Sequence, residues 1–135
     1  MKPSCLHPET LIDTPDGGVC IAALLPGVSS VWSQDTLGNR IVARVDVAAM
    51  MHVKPAHSML RLSVGEGVFF VSGQHPMPDG TPIEHTYPTA PRVTASQTGT
   101  DVTHDIAVTG PTGIYFAHGI ALGSTLDERF RRSSR

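Results

Sequence analysis

Turn-forming residues divide this chain into short segments, and their spacing constrains the fold more than any other feature of the sequence. Glycine, proline, asparagine and aspartate cluster at residues 15–18 (PDGG), 26–27 (PG), 38–39 (GN), 65–67 (GEG), 78–80 (PDG) and 110–111 (GP). These residues favour the backbone conformations that tight turns require. Turn signals about 8 to 12 residues apart predict an all-β sandwich or barrel-like fold built from many short strands.

Short runs with strand character lie between these turns. We predict strands at residues 19–22, 31–33, 40–47, 59–63, 68–72, 92–95, 102–108, 114–117 and 120–122. Helical periodicity is poor, although residues 20–25 (CIAALL) are compatible with a helical turn. Residues 45–53 (VDVAAMMHV) are compatible with either a helix or a strand. A sheet that closes on itself would leave few exposed edges.

The composition is that of a compact globular domain. The 135 residues are 40% hydrophobic and only 16% charged, which is enough apolar material for one domain with a core. A net charge of -2 does not indicate nucleic acid or a membrane surface as a partner. No apolar stretch approaches the ~18 residues of a membrane span, and the first ten residues lack the apolar region of a signal peptide.

The end of the chain differs in charge from the rest. Residues 127–135 hold four arginines against Asp127 and Glu128. Because disorder concentrates at chain termini, we expect residues 126–135 to form a solvated basic tail. Contact of this tail with nucleic acid or another partner is the alternative interpretation.

Two cysteines and seven histidines are the groups from which acyl chemistry can be built. A thiol with a histidine is the minimum for nucleophilic acyl chemistry. Cys5 lies near the N-terminus, whereas Cys20 lies in an apolar run and is expected to be a small buried residue. Pairing of Cys5 with Cys20 under oxidation is the alternative. Spacing alone does not select one histidine from the seven.

Other kinds of site have weaker sequence support. His52 and His57 are five residues apart, but no C-x-x-C or H-E-x-x-H motif accompanies them, so we predict no metal, and a zinc-binding β domain is only an alternative. No G-x-S-x-G motif is present to indicate a serine hydrolase. We also predict no cofactor.

Three separated segments together resemble the Hint (Hedgehog/intein) superfamily. Residues 5–31 begin with Cys5 and continue through Thr10, an apolar run, T-P-x-G and L-x-P-G, as in the family's N-terminal block, with Val28 in place of the usual Asp. Residues 68–77 (VFFVSGQHPM) resemble the T-x-x-H block. Residues 103–122 resemble the closing block, with x-D-[LIV]-x-V followed by an aromatic pair and A-x-G-[IV]. The resemblance implies a horseshoe-like all-β fold with pseudo-twofold symmetry.

The resemblance also implies the reaction and its residues. Cys5 would perform an N-to-S acyl shift on the Ser4–Cys5 peptide bond. His75, the histidine of the T-x-x-H block, would donate a proton to the Cys5 nitrogen. Ser72 stands where the family has threonine and would hold the scissile amide. Asp105 matches the closing-block acid and would orient or deprotonate the thiol.

Two further residues are supporting or rival candidates. His104 is next to Asp105, but neighbouring residues on a strand point to opposite faces, so it becomes a rival base only if a bulge intervenes. Ser124 retains the nucleophile type that follows an intein. Inteins end in His-Asn, and Leu122 and Gly123 stand at those positions, so the resemblance implies no splicing.

These inferences define a domain organisation and a working hypothesis. Residues 1–4 would be a short N-terminal flank, residues 5–125 a Hint autoprocessing domain, and residues 126–135 the basic tail. The substrate would be the flanking polypeptide, and the acceptor would be water or a small or protein nucleophile. We expect a monomer with no nucleic-acid or membrane partner. The alternative is a catalytically degenerate Hint fold that acts as a binding or structural module.

Overall fold

The structure, a computed structural model, describes residues 5–63 and 67–130. Ten strands lie in these ranges: β1 Leu11–Thr14, β2 Gly17–Cys20, β3 Ser30–Gln34, β4 Arg40–His52, β5 Ser58–Leu62, β6 Phe69–Ser72, β7 Arg92–Thr94, β8 Val102–Val108, β9 Tyr115–Ala117 and β10 Ile120–Leu122. The helices of the described residues are single turns: 3-10 turns at Ile21–Ala23 and Glu128–Phe130, and the short α-helices α1 Ile83–Thr86 and α2 Ala95–Thr98. The all-β class predicted from the turn spacing is confirmed.

The strands form three antiparallel sheets among the described residues. Their orders are β10-β9-β1-β2, β3-β4-β8 and β6-β5-β7. Each of the nine predicted strands overlaps one of these ten, and the four-residue β1 was not predicted. Residues 45–53, which were compatible with helix or strand, belong mostly to β4. The second half of β4 pairs with β8, from Val47 opposite Ala107 to His52 opposite Val102. This long pairing explains why the segment is a strand and not a helix.

Turn chemistry explains how the first hairpin closes. The Thr14 hydroxyl donates to the Gly17 carbonyl at 2.6 Å and accepts from the Asp16 amide at 3.1 Å. Gly17 has a φ of +103°, a conformation in which residues with a Cβ are strained. The turn therefore requires glycine where β2 begins.

The N-terminal segment connects two of the sheets. Leu6 forms isolated β-bridges to Val71 of β6 and to His104 of β8. Its amide donates to the His104 carbonyl, and its carbonyl accepts from the His104 amide, both at 2.8 Å. Leu6 is fully buried in the main hydrophobic core. The residue before it, Cys5, is therefore held between β6 and β8 in the interior.

Candidate functional site

Cys5 lies at the centre of the candidate site and is fully buried. Its amide donates to the Ser72 hydroxyl at 3.2 Å, and its carbonyl accepts from the Ser72 amide at 3.0 Å. Ser72 ends β6 and is 2% exposed. The nitrogen of the predicted scissile bond is therefore hydrogen-bonded to a predicted site residue. Ser4, the other side of that bond, lies outside the described residues.

A histidine that was considered only as a metal ligand adjoins Ser72. The Nε2 atom of His57 lies 2.7 Å from the Ser72 hydroxyl. His57 immediately precedes β5, and Met59 of β5 is paired with Ser72. This register brings His57 beside the end of β6. The sequence shows that residue 57 is a histidine, but it does not show the strand pairing that places this histidine beside Ser72.

His75 is fully buried in the turn that follows β6. Its amide donates to the Ser72 carbonyl at 3.0 Å, and its carbonyl accepts from the Ile83 amide at 2.8 Å. Its Nε2 atom lies 2.9 Å from the Gly123 carbonyl and 3.3 Å from the Tyr115 hydroxyl. Because a carbonyl oxygen only accepts, these contacts assign a proton to Nε2. His75 can then donate from Nδ1 only as the doubly protonated imidazolium.

Asp105 is fully buried, and its carboxylate accepts four hydrogen bonds. The Tyr115 hydroxyl donates to Oδ1 at 2.6 Å, and the Ile106 amide donates to the same oxygen at 2.8 Å. The Thr125 amide donates to Oδ2 at 2.7 Å, and the Thr125 hydroxyl makes a short bond to the same oxygen. Four donors fill the accepting capacity of a carboxylate. In these contacts Asp105 links β8, β9 and the chain that follows β10.

Tyr115 connects the carboxylate to the buried histidine. Burial, together with the negative charge of Asp105 and the hydrogen bond to it, raises the pKa of Tyr115 well above its ordinary value of 10.0, and negative charge on the nearby Cys5 sulfur acts in the same direction. Tyr115 therefore remains a phenol that donates to Asp105 and can accept from His75. Only its membership of an aromatic pair drew attention to it in the sequence.

His104 lies on the side of β8 away from Asp105. It is half-buried beside the N-terminal segment, whereas Asp105 is fully buried. Burial, and to a smaller extent the nearby His7, lowers the pKa of His104 below its ordinary value of 6.5. The bulge in the β4–β8 pairing falls between Val45 and Val47, away from His104. This arrangement gives the rival-base interpretation no support.

The other sites considered in the sequence were a Cys5–Cys20 pair and a metal site. No disulfide joins Cys5 and Cys20. Cys20 is half-buried, and its sulfur lies 3.8 Å from the Glu9 carbonyl. Within residues 5–63 and 67–130, no group of three or more His, Cys, Asp or Glu side chains is arranged to hold a metal ion. No helix in the same ranges is long and apolar enough to cross a membrane.

Comparison with solved structures gives a match over nearly the whole chain. The crystal structure of the gp41-1 intein superposes with a TM-score of 0.54 and covers 90% of this chain and 99% of the intein. Sequence identity in the match is 15%. The chain has an intein-like Hint fold. No protein-family model and no curated protein matches it.

Gly123, which the sequence resemblance aligns with the terminal asparagine of inteins, makes two contacts through its backbone. The Gly123 amide donates to the Pro76 carbonyl at 2.9 Å, and the Gly123 carbonyl meets His75. A Cβ at Gly123 would lie 2.6 Å from the Phe130 ring and 3.0 Å from the Met77 carbonyl. The packing therefore leaves no room for a larger side chain at Gly123.

Leu122 and Ser124, which flank this glycine, are both fully buried. Leu122 belongs to the main hydrophobic core. The Ser124 hydroxyl accepts from the Leu126 amide at 3.0 Å. In this arrangement the Ser124 hydroxyl stabilises the turn that leads into the last described segment.

The first part of the predicted basic tail is packed against the domain. Phe130 is only 6% exposed and packs with Ile114 and Phe116. Arg129 forms a 2.7 Å ion pair with Asp127 and donates to the Pro111 carbonyl at 2.6 Å. The expectation of a solvated tail therefore does not hold for Phe130, whereas Glu128 and Arg129 are exposed. Residues 131–135, which hold the remaining arginines, lie outside the described residues.

Proposed function

We propose that this domain is self-processing and that Cys5 performs an N-to-S acyl shift on the peptide bond to Ser4. The observation that carries the proposal is the hydrogen bond from the Cys5 amide to the buried Ser72 hydroxyl. It engages the nitrogen that must leave during the shift. The thiol of the same residue lies in the interior, close enough to Tyr115 to affect its pKa.

In the proposed reaction the Cys5 sulfur adds to the Ser4 carbonyl carbon and loses its proton. The carbon–sulfur bond forms, the carbon–nitrogen bond breaks, and the Cys5 nitrogen takes up a proton to leave as an amine. An amide is stabilised by resonance, so the step is unfavourable unless that nitrogen is protonated. His75 would supply the proton as an imidazolium. Asp105 would contribute indirectly, because it holds Tyr115 against His75 and has both oxygens occupied.

The thioester would be consumed by water or by a small or protein nucleophile. Gly123 has no side-chain amide to cyclise, and Leu122 has no proton to donate. Splicing is therefore not part of the proposal. Ser124 can accept the acyl group in principle, but nothing at Gly123 would then release the downstream chain.

The test is a fusion of a folded reporter protein ahead of residue 1, incubated with and without a strong thiol and followed by intact-mass spectrometry. Cleavage is expected directly before Cys5 and should be faster with the thiol. Cys5→Ala should abolish it, and His75→Ala should slow it by about 10²-fold or more. Cys20→Ala is the matched control and should cleave like the parent.

An intact parent fusion under both conditions would refute the proposal. Equal cleavage of the Cys5→Ala fusion would refute it as well. Either result would favour the alternative of a Hint fold retained as a binding or structural module.

A further inference from the structure

An open groove, whose lining includes Ser72, reaches the candidate site from the solvent. It encloses a cavity of about 590 Å³, and its lining includes His52, Lys54, His57, Ser72, Glu84 and Arg92. Glu84 and Arg92 neutralise each other in an ion pair of 2.9 Å. The other lining residues with a charged or titratable side chain are His52, Lys54 and His57.

We infer that His57 delivers a proton from this groove, through the Ser72 hydroxyl, to the departing nitrogen of Cys5. This inference rests on the proposed function. It makes His57 a positioning residue that acts through Ser72, in addition to the direct donor expected from His75.

Distances support a continuous relay. His57 Nε2 lies 2.7 Å from Ser72 Oγ, and Ser72 Oγ lies 3.2 Å from the Cys5 nitrogen. The backbone of His57 is fixed at both groups, since its amide donates to the Lys54 carbonyl and its carbonyl accepts from the Ala95 amide, both at 2.9 Å. The ring is therefore held beside Ser72 by the fold.

Hydrogen-bond polarity gives the relay a direction. In the amide state the Cys5 N–H donates to Ser72 Oγ, and the hydroxyl proton of Ser72 can point to a neutral His57 ring. When the thiol attacks, the Cys5 nitrogen becomes pyramidal and gains a basic lone pair. Once this nitrogen has inverted so that its lone pair faces Ser72, an imidazolium at His57 can donate to Ser72 Oγ while the Ser72 hydroxyl proton moves to the nitrogen.

Proton balance is completed through solvent. The thiol proton is released to water as the carbon–sulfur bond forms, and His57 takes a proton back from water through the groove. His57 is half-buried, whereas His75 is fully buried with Nε2 against the Gly123 carbonyl. His57 therefore has the access to solvent that its reprotonation requires.

A first experiment uses the reporter fusion and measures single-turnover cleavage. His57→Ala should slow cleavage by about 10²-fold. Imidazole should restore part of the rate, because the groove can admit the free ring. His52→Ala, which changes another histidine of the groove, is the matched control and should leave the rate unchanged. Imidazole should not rescue Ser72→Ala, since the relay passes through that hydroxyl.

Two results would overturn the inference in a fusion that cleaves. One is a His57→Ala fusion that cleaves as fast as the parent. The other is a His57→Ala fusion that cleaves slowly, is not rescued by imidazole and has the same pH dependence of its rate as the parent. That combination would indicate that His57 has only a structural role.

A second measurement separates this inference from the proposed function, because it needs no cleavage. In the Cys5→Ala protein the amide at position 5 can still donate to Ser72. Its NMR chemical shift should titrate together with the His57 ring, and the titration should disappear in both His57→Gln and Ser72→Ala. An amide shift that titrates unchanged in the His57→Gln background would overturn the relay, whether or not the parent fusion cleaves.

Discussion

The hydroxyl of Thr125 is expected to stabilise the fold more than an ordinary threonine hydroxyl because its acceptor is a buried carboxylate. Thr125 Oγ1 donates to Asp105 Oδ2, and Asp105 is 0% exposed. Hydrogen bonds to charged groups contribute about 1.5–3 kcal/mol, against about 0.5–1.5 kcal/mol for bonds between neutral groups. Thr125→Val keeps the shape and the backbone bond to Asp105 and removes only this hydroxyl.

Thr112 provides a matched control in the same domain. It is also half-buried, and its hydroxyl donates to the Gln34 carbonyl at 2.6 Å and accepts from the Ile114 amide at 3.3 Å, so both of its partners are neutral. We expect Thr125→Val to lower the free energy of unfolding by about 1.5–3 kcal/mol and Thr112→Val by about 0.5–1.5 kcal/mol. Thr125→Ser retains the donor and should cost less than Thr125→Val.

Urea unfolding, followed by the fluorescence of Trp32, measures all three variants. The comparison is valid when the variants share the slope of the free energy against urea. Equal losses for Thr125→Val and Thr112→Val, or a larger loss for Thr112→Val, would refute the argument that the carboxylate strengthens this bond.

Three further predictions concern the same region. Tyr115→Phe removes a donor to Asp105 and should lower the free energy of unfolding by about 1.5–3 kcal/mol in urea, and a neutral effect would contradict the bond. Gly123→Ala should destabilise the fold by about 1–3 kcal/mol through its contact with Phe130, and a double-mutant cycle with Phe130→Ala should show less than additive loss. Because the folded pKa of His104 is lowered, its contribution is present above about pH 6.5 and is lost as the pH falls through the folded value. His104→Gln should therefore weaken the fall in stability between about pH 7 and pH 5, and an unchanged fall would exclude this assignment.

The sequence was sufficient to locate most of the strands. Turn residues act over a few positions, and the segments between them showed strand character, so nine strands were predicted near their observed places. β1 was missed because LIDT is four residues long and has no flanking turn signal at its start. Motif order also indicated the Hint fold, which the structural match confirmed.

Residues from distant segments were brought together by tertiary structure alone. Cys5 meets Ser72 because Leu6 bridges β6 and β8, and His57 reaches the same hydroxyl through the β5–β6 register. Such pairings depend on which strands become neighbours, and a strand's own residues do not encode its partner.

The contacts near the C-terminus also separate what the residue types determine from what the tertiary structure determines. The sequence by itself determined that Leu122 and Gly123 lack the side chains with which an intein ends. Only the folded chain decided that the Gly123 carbonyl meets His75, and that Phe130 covers the glycine. Chemistry available to a residue is a property of its type, whereas the atoms it can act on are decided by packing between segments far apart in the chain.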